Sequence, residues 1–473
     1  MRPSDRLPRP VIDVLRRSPL ARRLAGGGSA GLGTRLGKAA LSIIAAVLLA
    51  RTLAPSAFGV YLLGQTIALF GSVLAVLGLE NTLVREVAGL IARGNRAAIG
   101  STLRRARGLV LFGAAMVAGL LMLGRGAVLR HLFDEPELAA MVGWLAVWIA
   151  LEALSRVQVS ALRGEHRLVP AAALDGFVQA AVFLAAVVWM AVAGVVELER
   201  VFVAGALGSG TSVAAGGWLL SRFRLSAGIP ITKASGTMEA PSMRRLWRRS
   251  WPLLGATGLG FLISQGDLFL AGVFAAGDGA ARYGSALRLI LVIALPLHVL
   301  NRTISSTLAE FHTRGHIADL ELLLRGTTTM VTAATGPMVL GLILFGEEIL
   351  ASLFGEFYAT AMPVLVILAL GQLVGVAAGP CGTMLMMAGH ERLQLAVSAA
   401  SGAYLLLGSL WAGALYGIVG VAAVSASNTV LNNLVTIFLV RRRVGVWSHA
   451  YLSPFRAREG LSGLVRVARS YAS

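Results

Sequence analysis

Long apolar runs separated by short polar breaks dominate this chain. Residues 41–89 show the pattern first: two apolar runs flank a polar break at 51–59, and the second run closes on Glu80, Asn81 and Arg85. About 20 apolar residues at about 1.5 Å each cover a hydrocarbon core of about 30 Å. The stretch therefore reads as a helical hairpin sized for a bilayer. The same reading gives twelve spans, near 34–53, 60–79, 107–124, 138–157, 168–189, 200–220, 252–274, 284–304, 327–345, 361–387, 394–413 and 417–440. The sixth is rich in Gly and Ser, and the tenth is long and interrupted at Gly379-Pro380. The expected fold class is an all-α polytopic membrane protein with 12 transmembrane helices.

Composition supports this reading. The 473 residues are 56% hydrophobic and 14% charged, with a mean hydropathy of +0.76, where a soluble chain carries about a quarter charged residues. The net charge of +19 would by itself suggest nucleic acid. The placement of the charges excludes that partner. With the N-terminus inside, 36 of the 42 Lys and Arg residues fall in the tails and in alternate loops. Only Arg51, Arg125, Arg130, Arg200, Arg282 and Arg288 fall on the outer side. Basic residues concentrate on the cytoplasmic face of membrane proteins, where anionic lipids attract them. Both termini are therefore expected in the cytoplasm. The single cysteine, Cys381, rules out an intrachain disulfide and reads as packing. The basic N-terminal segment lacks the apolar core and cleavage site of a signal peptide.

The two halves repeat. Tyr61 matches Tyr283 at an offset of 222, Arg93-Gly94 matches Arg314-Gly315 at 221, and Leu103-Arg104 matches Leu324-Arg325 at 221. Gly124 matches Gly346 at 222, and Gly164 and Arg167 match Gly389 and Arg392 at 225. Six spans per repeat place both copies in the same orientation, so their interface is the natural substrate site. The expected organisation is a basic cytoplasmic tail (1–30), an N-terminal six-helix lobe (31–222), a cytoplasmic linker (223–251), a C-terminal six-helix lobe (252–443) and an amphipathic or disordered cytoplasmic tail (444–473).

The sequence shows no enzyme constellation, metal-ligand spacing or phosphate loop; the Gly-rich stretch 26–37 lacks the preceding strand such a loop needs. The candidate chemistry lies in charges within the spans, which are costly there and face a cavity or a partner. Asp267, two residues after Gln265, sits near the centre of span seven as a proton or cation site, or as the partner of a cavity arginine. Arg288 begins span eight about one turn inside the outer surface. Its planar fork of donors suits a pyrophosphate, with snorkelling to the interface as the alternative. Arg35 and Lys38, one turn apart near the cytoplasmic entry, either receive an anionic group of a substrate or anchor the span. Glu152 and Arg156 share a helix face and, with Asp175, form an expected structural triad of intramembrane charges. His298 is a satisfied interior histidine or a proton relay. Pro296, Pro337 and Pro380 lie within second-half spans, where each bends its helix.

The opening hairpin also carries a resemblance. Its Leu49-Ala50-Arg51, Leu53, Pro55 and Phe58-Gly59 break, followed by Gly78 and Arg85, resembles the first hairpin of the Wzx-type polysaccharide and oligosaccharide flippases. These belong to the multidrug/oligosaccharidyl-lipid/polysaccharide exporter superfamily. Trp251-Pro252, Asp267 and Tyr283, the Leu353-Phe354-Gly355 region with Tyr358, and the final 417–423 stretch fit as well. The resemblance implies a MATE-like fold of two six-helix lobes around a central cavity. It implies a bacterial inner-membrane flippase, not an enzyme, that moves a polyprenyl-diphosphate-linked oligosaccharide by alternating access for a cell-surface polysaccharide such as the O-antigen of lipopolysaccharide. No bound cofactor is implied; coupling to an H+ or Na+ gradient is. The implied partners are the lipid-linked oligosaccharide, membrane lipids and other polysaccharide assembly proteins. Two extra C-terminal spans and a first-span Arg-Asp pair, both features of the lipid II flippases, are not found here. The rival functions are a cation-coupled multidrug exporter and a membrane-embedded polysaccharide assembly enzyme. The latter needs a large outer loop, and the outer loops here are short.

Overall fold

The computed structural model describes residues 29–95, 97–124, 135–226 and 241–451. The N-terminal tail up to residue 28, the middle of the expected linker and the C-terminal tail from 452 lie outside the described residues. The described elements are helices, with no strand among them. In chain order they are α1 (Ser29–Thr52), α2 (Pro55–Ala75), α3 (Leu79–Ala92), α4 (Ala98–Gly124), α5 (Pro136–Ala140), α6 (Val142–Gly164) and α7 (Leu168–Ala172). Then follow α8 (Val178–Val192), α9 (Leu198–Ser226), α10 (Met243–Thr313), α11 (Ile317–Phe354), α12 (Met362–Ala378), α13 (Cys381–Met387) and α14 (Glu391–Val444).

Eleven segments among the described residues are long and apolar enough to cross a membrane. Two continuous helices are folded back on themselves. In α10, Tyr283 bonds Asp267 at 3.3 Å, although 16 residues of straight helix would hold them about 24 Å apart. The chain reverses between Ala275 and Gly277, where one candidate span ends and the next begins. In α14, Gly417 has φ 58° and ψ −141°, and the flanking residues meet in antiparallel register. Ser401 bonds Asn428 at 2.7 Å, Tyr404 meets Ser427 at 3.0 Å, and Ala412 lies against Gly420. The expected count of twelve spans requires each arm of α14 to cross separately.

The expected linker is shorter than its charge pattern suggests. Ser242 caps α10, its hydroxyl accepting from the Arg245 backbone N–H at 3.3 Å, so Arg244, Arg245, Arg248 and Arg249 belong to the first turns of a helix. Serine at this position satisfies one of the unpaired N–H groups of a helix start. The left-handed turn residues also recur between halves. Gly94 and Gly315, His166 and Gly389, and Gly194 and Gly417 all have positive φ at offsets of 221 to 223.

Helix α2 packs most extensively against α10, and this seam joins the two halves. At one end of the bundle Gly59 and Gly277 meet backbone to backbone: a Cβ at Gly59 would lie 1.8 Å from the Gly277 carbonyl oxygen. Around them Phe58 stacks edge-on against Tyr358 at 6.0 Å, the Gly277 N–H donates to Glu135, and Arg51 donates to the carbonyls of Ser352 and Leu353. These contacts hold the two halves together at that end. At the opposite end Arg249 pairs with Glu86, and Arg105 donates to the Pro241 carbonyl at 2.9 Å. Large apolar side chains stay exposed around the bundle, Leu123 and Val192 at 85% among them, as suits a surface bathed by lipid rather than water.

The expected interruption of the tenth span is present, between α12 and α13. Gly379 adopts φ 74° and ψ −160°, a conformation essentially confined to glycine. Pro380 follows it, and the break frees carbonyls that must find other donors. Residues after α14 supply them: the Ser448 hydroxyl donates to Ala378 at 3.0 Å, and the Ala450 N–H donates to Ala377 at 2.8 Å. Thr328 in turn donates to the Ser448 carbonyl at 3.0 Å. A Cβ at Gly379 would lie 2.2 Å from the Thr328 hydroxyl and 2.7 Å from the Ser448 carbonyl. Gly379→Ala is expected to destabilise the protein by about 2–3 kcal/mol, seen as a lower melting temperature in detergent. Unchanged melting would show that the break relaxes freely.

Candidate functional site

A polar break in the apolar first half places the site. Between α7 and α8 the chain leaves helical geometry at Asp175 (ψ 41°) and Gly176 (φ 112°). The Lys38 side chain lies across the bare Gly176 backbone, where a Cβ would be 2.3 Å from Nζ. Beside this break is a cavity of about 260 Å³ between the two halves. One wall is α1, α2, α6, α8 and α9, through Lys38, Tyr61, Gln65, Trp148, Glu152 and Gln179 among others. The facing wall is α10, through Ser264, Gln265, Leu268, Leu287 and Arg288 among others.

Arg288 donates through Nη2 to Gln65 Oε1 at 2.6 Å. Gln65 Nε2 donates to the Tyr61 hydroxyl at 3.1 Å. The Tyr61 ring is held between Phe183, stacked at 5.8 Å, and Phe202, edge-on at 6.4 Å. Arg288 has no acidic partner among the described residues. It also lies deeper than expected. The second arm of α10 begins at Gly277, so Arg288 is about 16 Å along it, near mid-membrane. The stretch 275–283, read as a loop from its Gly, Asp and Arg content, is helical.

The acidic wall is a hydrogen-bonded network. Glu152 Oε2 accepts from Ser209 at 2.8 Å and from Gln179 at 3.0 Å. Arg156 lies 3.6 Å from Glu152 and 3.0 Å from Glu80. The expected Glu152–Arg156–Asp175 triad is therefore split, because Asp175 pairs with Arg163 at 2.5 Å. The π-type break turns Asp175 toward Arg163, while α3 carries Glu80 to Arg156. All three expected members nonetheless line the cavity.

The other candidate residues are distributed unevenly. Gln265 and Lys38 line the cavity, with Lys38 exposed at its rim. Asp267 does not belong to the lining. It is 8% exposed and accepts from Ser425 at 3.0 Å and from Tyr283 at 3.3 Å, within the second half. Arg35 is half-buried and His298 exposed, and neither is in the lining. Gln65, Tyr61, Gln179 and Ser209 were missed by a search for charge. The available signal was a lone amide, Gln65, within the apolar run of α2.

A bundle of membrane-spanning helices whose halves enclose a polar cavity is a fold that this chain shares with several solved structures. The chain superposes on the lipid II flippase MurJ in an inward closed conformation with a TM-score of 0.68, at 12% identity, covering 93% of this chain and 90% of that one. An inward-facing multidrug resistance MATE family transporter gives 0.66 at 13% identity, covering 86% and 94%. A MOP superfamily transporter from Pyrococcus furiosus gives 0.63 at 13% identity, covering 93% and 99%. The family is fixed by sequence: residues 48–363 match the model of the polysaccharide biosynthesis protein family, and the chain belongs to it. The teichuronic acid biosynthesis protein TuaB of Bacillus subtilis is 24% identical over 196 residues, a stretch that spans 40% of each protein.

Proposed function

We propose that the protein is a flippase of the bacterial inner membrane, both termini cytoplasmic, that moves a polyprenyl-diphosphate-linked oligosaccharide between leaflets by alternating access of its two halves. The product would feed a cell-surface polysaccharide, of which the O-antigen of lipopolysaccharide is one example. The observation that carries the reading is Arg288, a cation at mid-membrane facing a cavity and, among the described residues, bonded to a neutral amide rather than to an acid. A buried charge is costly without a counter-charge, and a diphosphate supplies one in the geometry an arginine fork prefers. Lys38, at the rim and without an ion-pair partner among the described residues, would meet the same group on entry. The lipid tail would stay in the bilayer between the halves. Coupling to an H+ or Na+ gradient belongs to the proposal, with the buried carboxylate of Asp267 as its candidate.

A multidrug exporter would need an acid free to hold a cationic drug. Glu152 and Asp175, the acids of the lining, are already engaged by Arg156, Ser209, Gln179 and Arg163. The test is a strain lacking the protein. It should accumulate lipid-linked oligosaccharide in the inner leaflet, wild-type protein should relieve the accumulation, and Arg288→Ala should relieve less than about a tenth of it. Full complementation by Arg288→Ala would remove the cavity's role, and normal flipping in the null strain would remove the function.

A further inference from the structure

We propose that Gln65 is the placeholder for the anion: its amide oxygen holds Arg288 across the seam while the cavity is empty, and an arriving diphosphate displaces it. The inference rests on the diphosphate reading of the cavity given above and assigns Gln65 a role distinct from contact with the substrate.

The amide has only one workable orientation. An arginine donates and never accepts, so Oε1 must face Arg288 at 2.6 Å. The nitrogen then faces Tyr61, whose hydroxyl accepts at 3.1 Å. Tyr61 is itself 3% exposed and packed between aromatic rings. The acceptor offered to Arg288 is thus held in position before any ligand arrives, in a polar network whose members all have partners.

The neutral charge of this acceptor decides its function. A carboxylate here would pair with Arg288, and a substrate would have to compete with a full negative charge. An amide satisfies the geometry of one guanidinium nitrogen and leaves the positive charge uncompensated. A diphosphate offers charged oxygens that accept two parallel bonds where the amide accepts one, and it adds the counter-charge that the amide lacks, so the exchange favours the substrate. An uncharged lipid or a free sugar has nothing to offer in exchange. Position makes the exchange consequential. Gln65 lies on α2 and Arg288 on α10, so their bond ties the two halves together at mid-depth. Substrate that takes Arg288 also releases this tie, which links occupancy to movement at the seam.

The experiment uses the full chain, purified in detergent, with farnesyl diphosphate as probe and farnesol as the uncharged control, read by calorimetry. Gln65→Glu is expected to weaken farnesyl diphosphate at least about 10-fold, because a fixed carboxylate occupies the guanidinium. Gln65→Leu is expected to bind it as tightly as the parent or several-fold tighter, because Arg288 no longer has to be taken from an acceptor. Wild-type affinity in Gln65→Glu would overturn the inference. So would about 10-fold weaker binding in Gln65→Leu with an unchanged melting temperature, which would make Gln65 a direct ligand. Arg288→Gln separates the two levels. If it binds farnesyl diphosphate like wild type, the diphosphate reading itself fails; if it loses binding while Gln65→Glu does not, only the placeholder role fails.

Discussion

Gly59→Val is expected to lower stability by about 3 kcal/mol, the upper end for overpacking, and to abolish flipping. A Cβ at this position would lie 1.8 Å from the Gly277 oxygen, 2.5 Å from its carbonyl carbon and 2.9 Å from its Cα. All three are backbone atoms, so no rotamer change relieves the overlap. The remaining relief is to part α2 from α10, and that breaks the neighbouring contacts of Phe58 with Tyr358 and of Arg51 with Ser352 and Leu353. The halves would then part at that end, and on the alternating access proposed above a protein that cannot close one end leaks or stalls. Melting in detergent and flipping in vesicles check the two parts. Normal flipping by Gly59→Val would show that this approach is not a required state.

Arg156→Leu is expected to cost a similar amount, about 3 kcal/mol, the low end for breaking a buried pair. The arginine serves two carboxylates, Glu80 at 3.0 Å and Glu152 at 3.6 Å. Glu152 keeps Ser209 and Gln179 as donors, whereas Glu80 loses its cation. The cavity keeps a quarter of the Arg156 side chain exposed, which is why the low end applies. Adding Glu80→Gln to Arg156→Leu should recover part of the loss. An exposed pair such as Arg200 with Glu197 sets the contrast, since removing it should change melting by about 0–1 kcal/mol. If Arg156→Leu melts like the parent, the charge network is not structural.

The spans were legible because a bilayer imposes one simple requirement, a long apolar run. The first span, expected at 34–53, is found at Gly33–Thr52, and the break in the tenth falls at Gly379-Pro380 as read. The seventh span, expected at 252–274, is found at Leu253–Ala275; the helix that carries it begins earlier, at Met243, where Ser242 caps it and four arginines interrupt the apolar pattern. The turn between the arms of α10 is not legible in the sequence, for a different reason. Small residues and two charges near 275–283 resemble a loop, yet the chain is already helical at Gly277, and this alone moved Arg288 from the interface to mid-membrane. Charge was the guide to the site, and it found Arg288, Lys38, Glu152, Arg156 and Asp175 on the cavity wall. It also selected Asp267, which bonds within its own half, because sequence gives the depth of a residue but not the direction of its side chain. Gln65 carries no charge and gave no such signal.

The seal at the break between α12 and α13 has a consequence for synthesis. The Ala377 and Ala378 carbonyls receive their donors from Ala450 and Ser448, residues made about 70 positions later in the chain. When the tenth span enters the bilayer those donors are still on the ribosome. Until the last helix is inserted and the chain reaches residue 450, the break must borrow water or lipid headgroups as hydrogen-bond partners. Closure of this break thus waits on the residues after α14, and a chain stopped just after α14 would reach the membrane with the break between α12 and α13 unsealed.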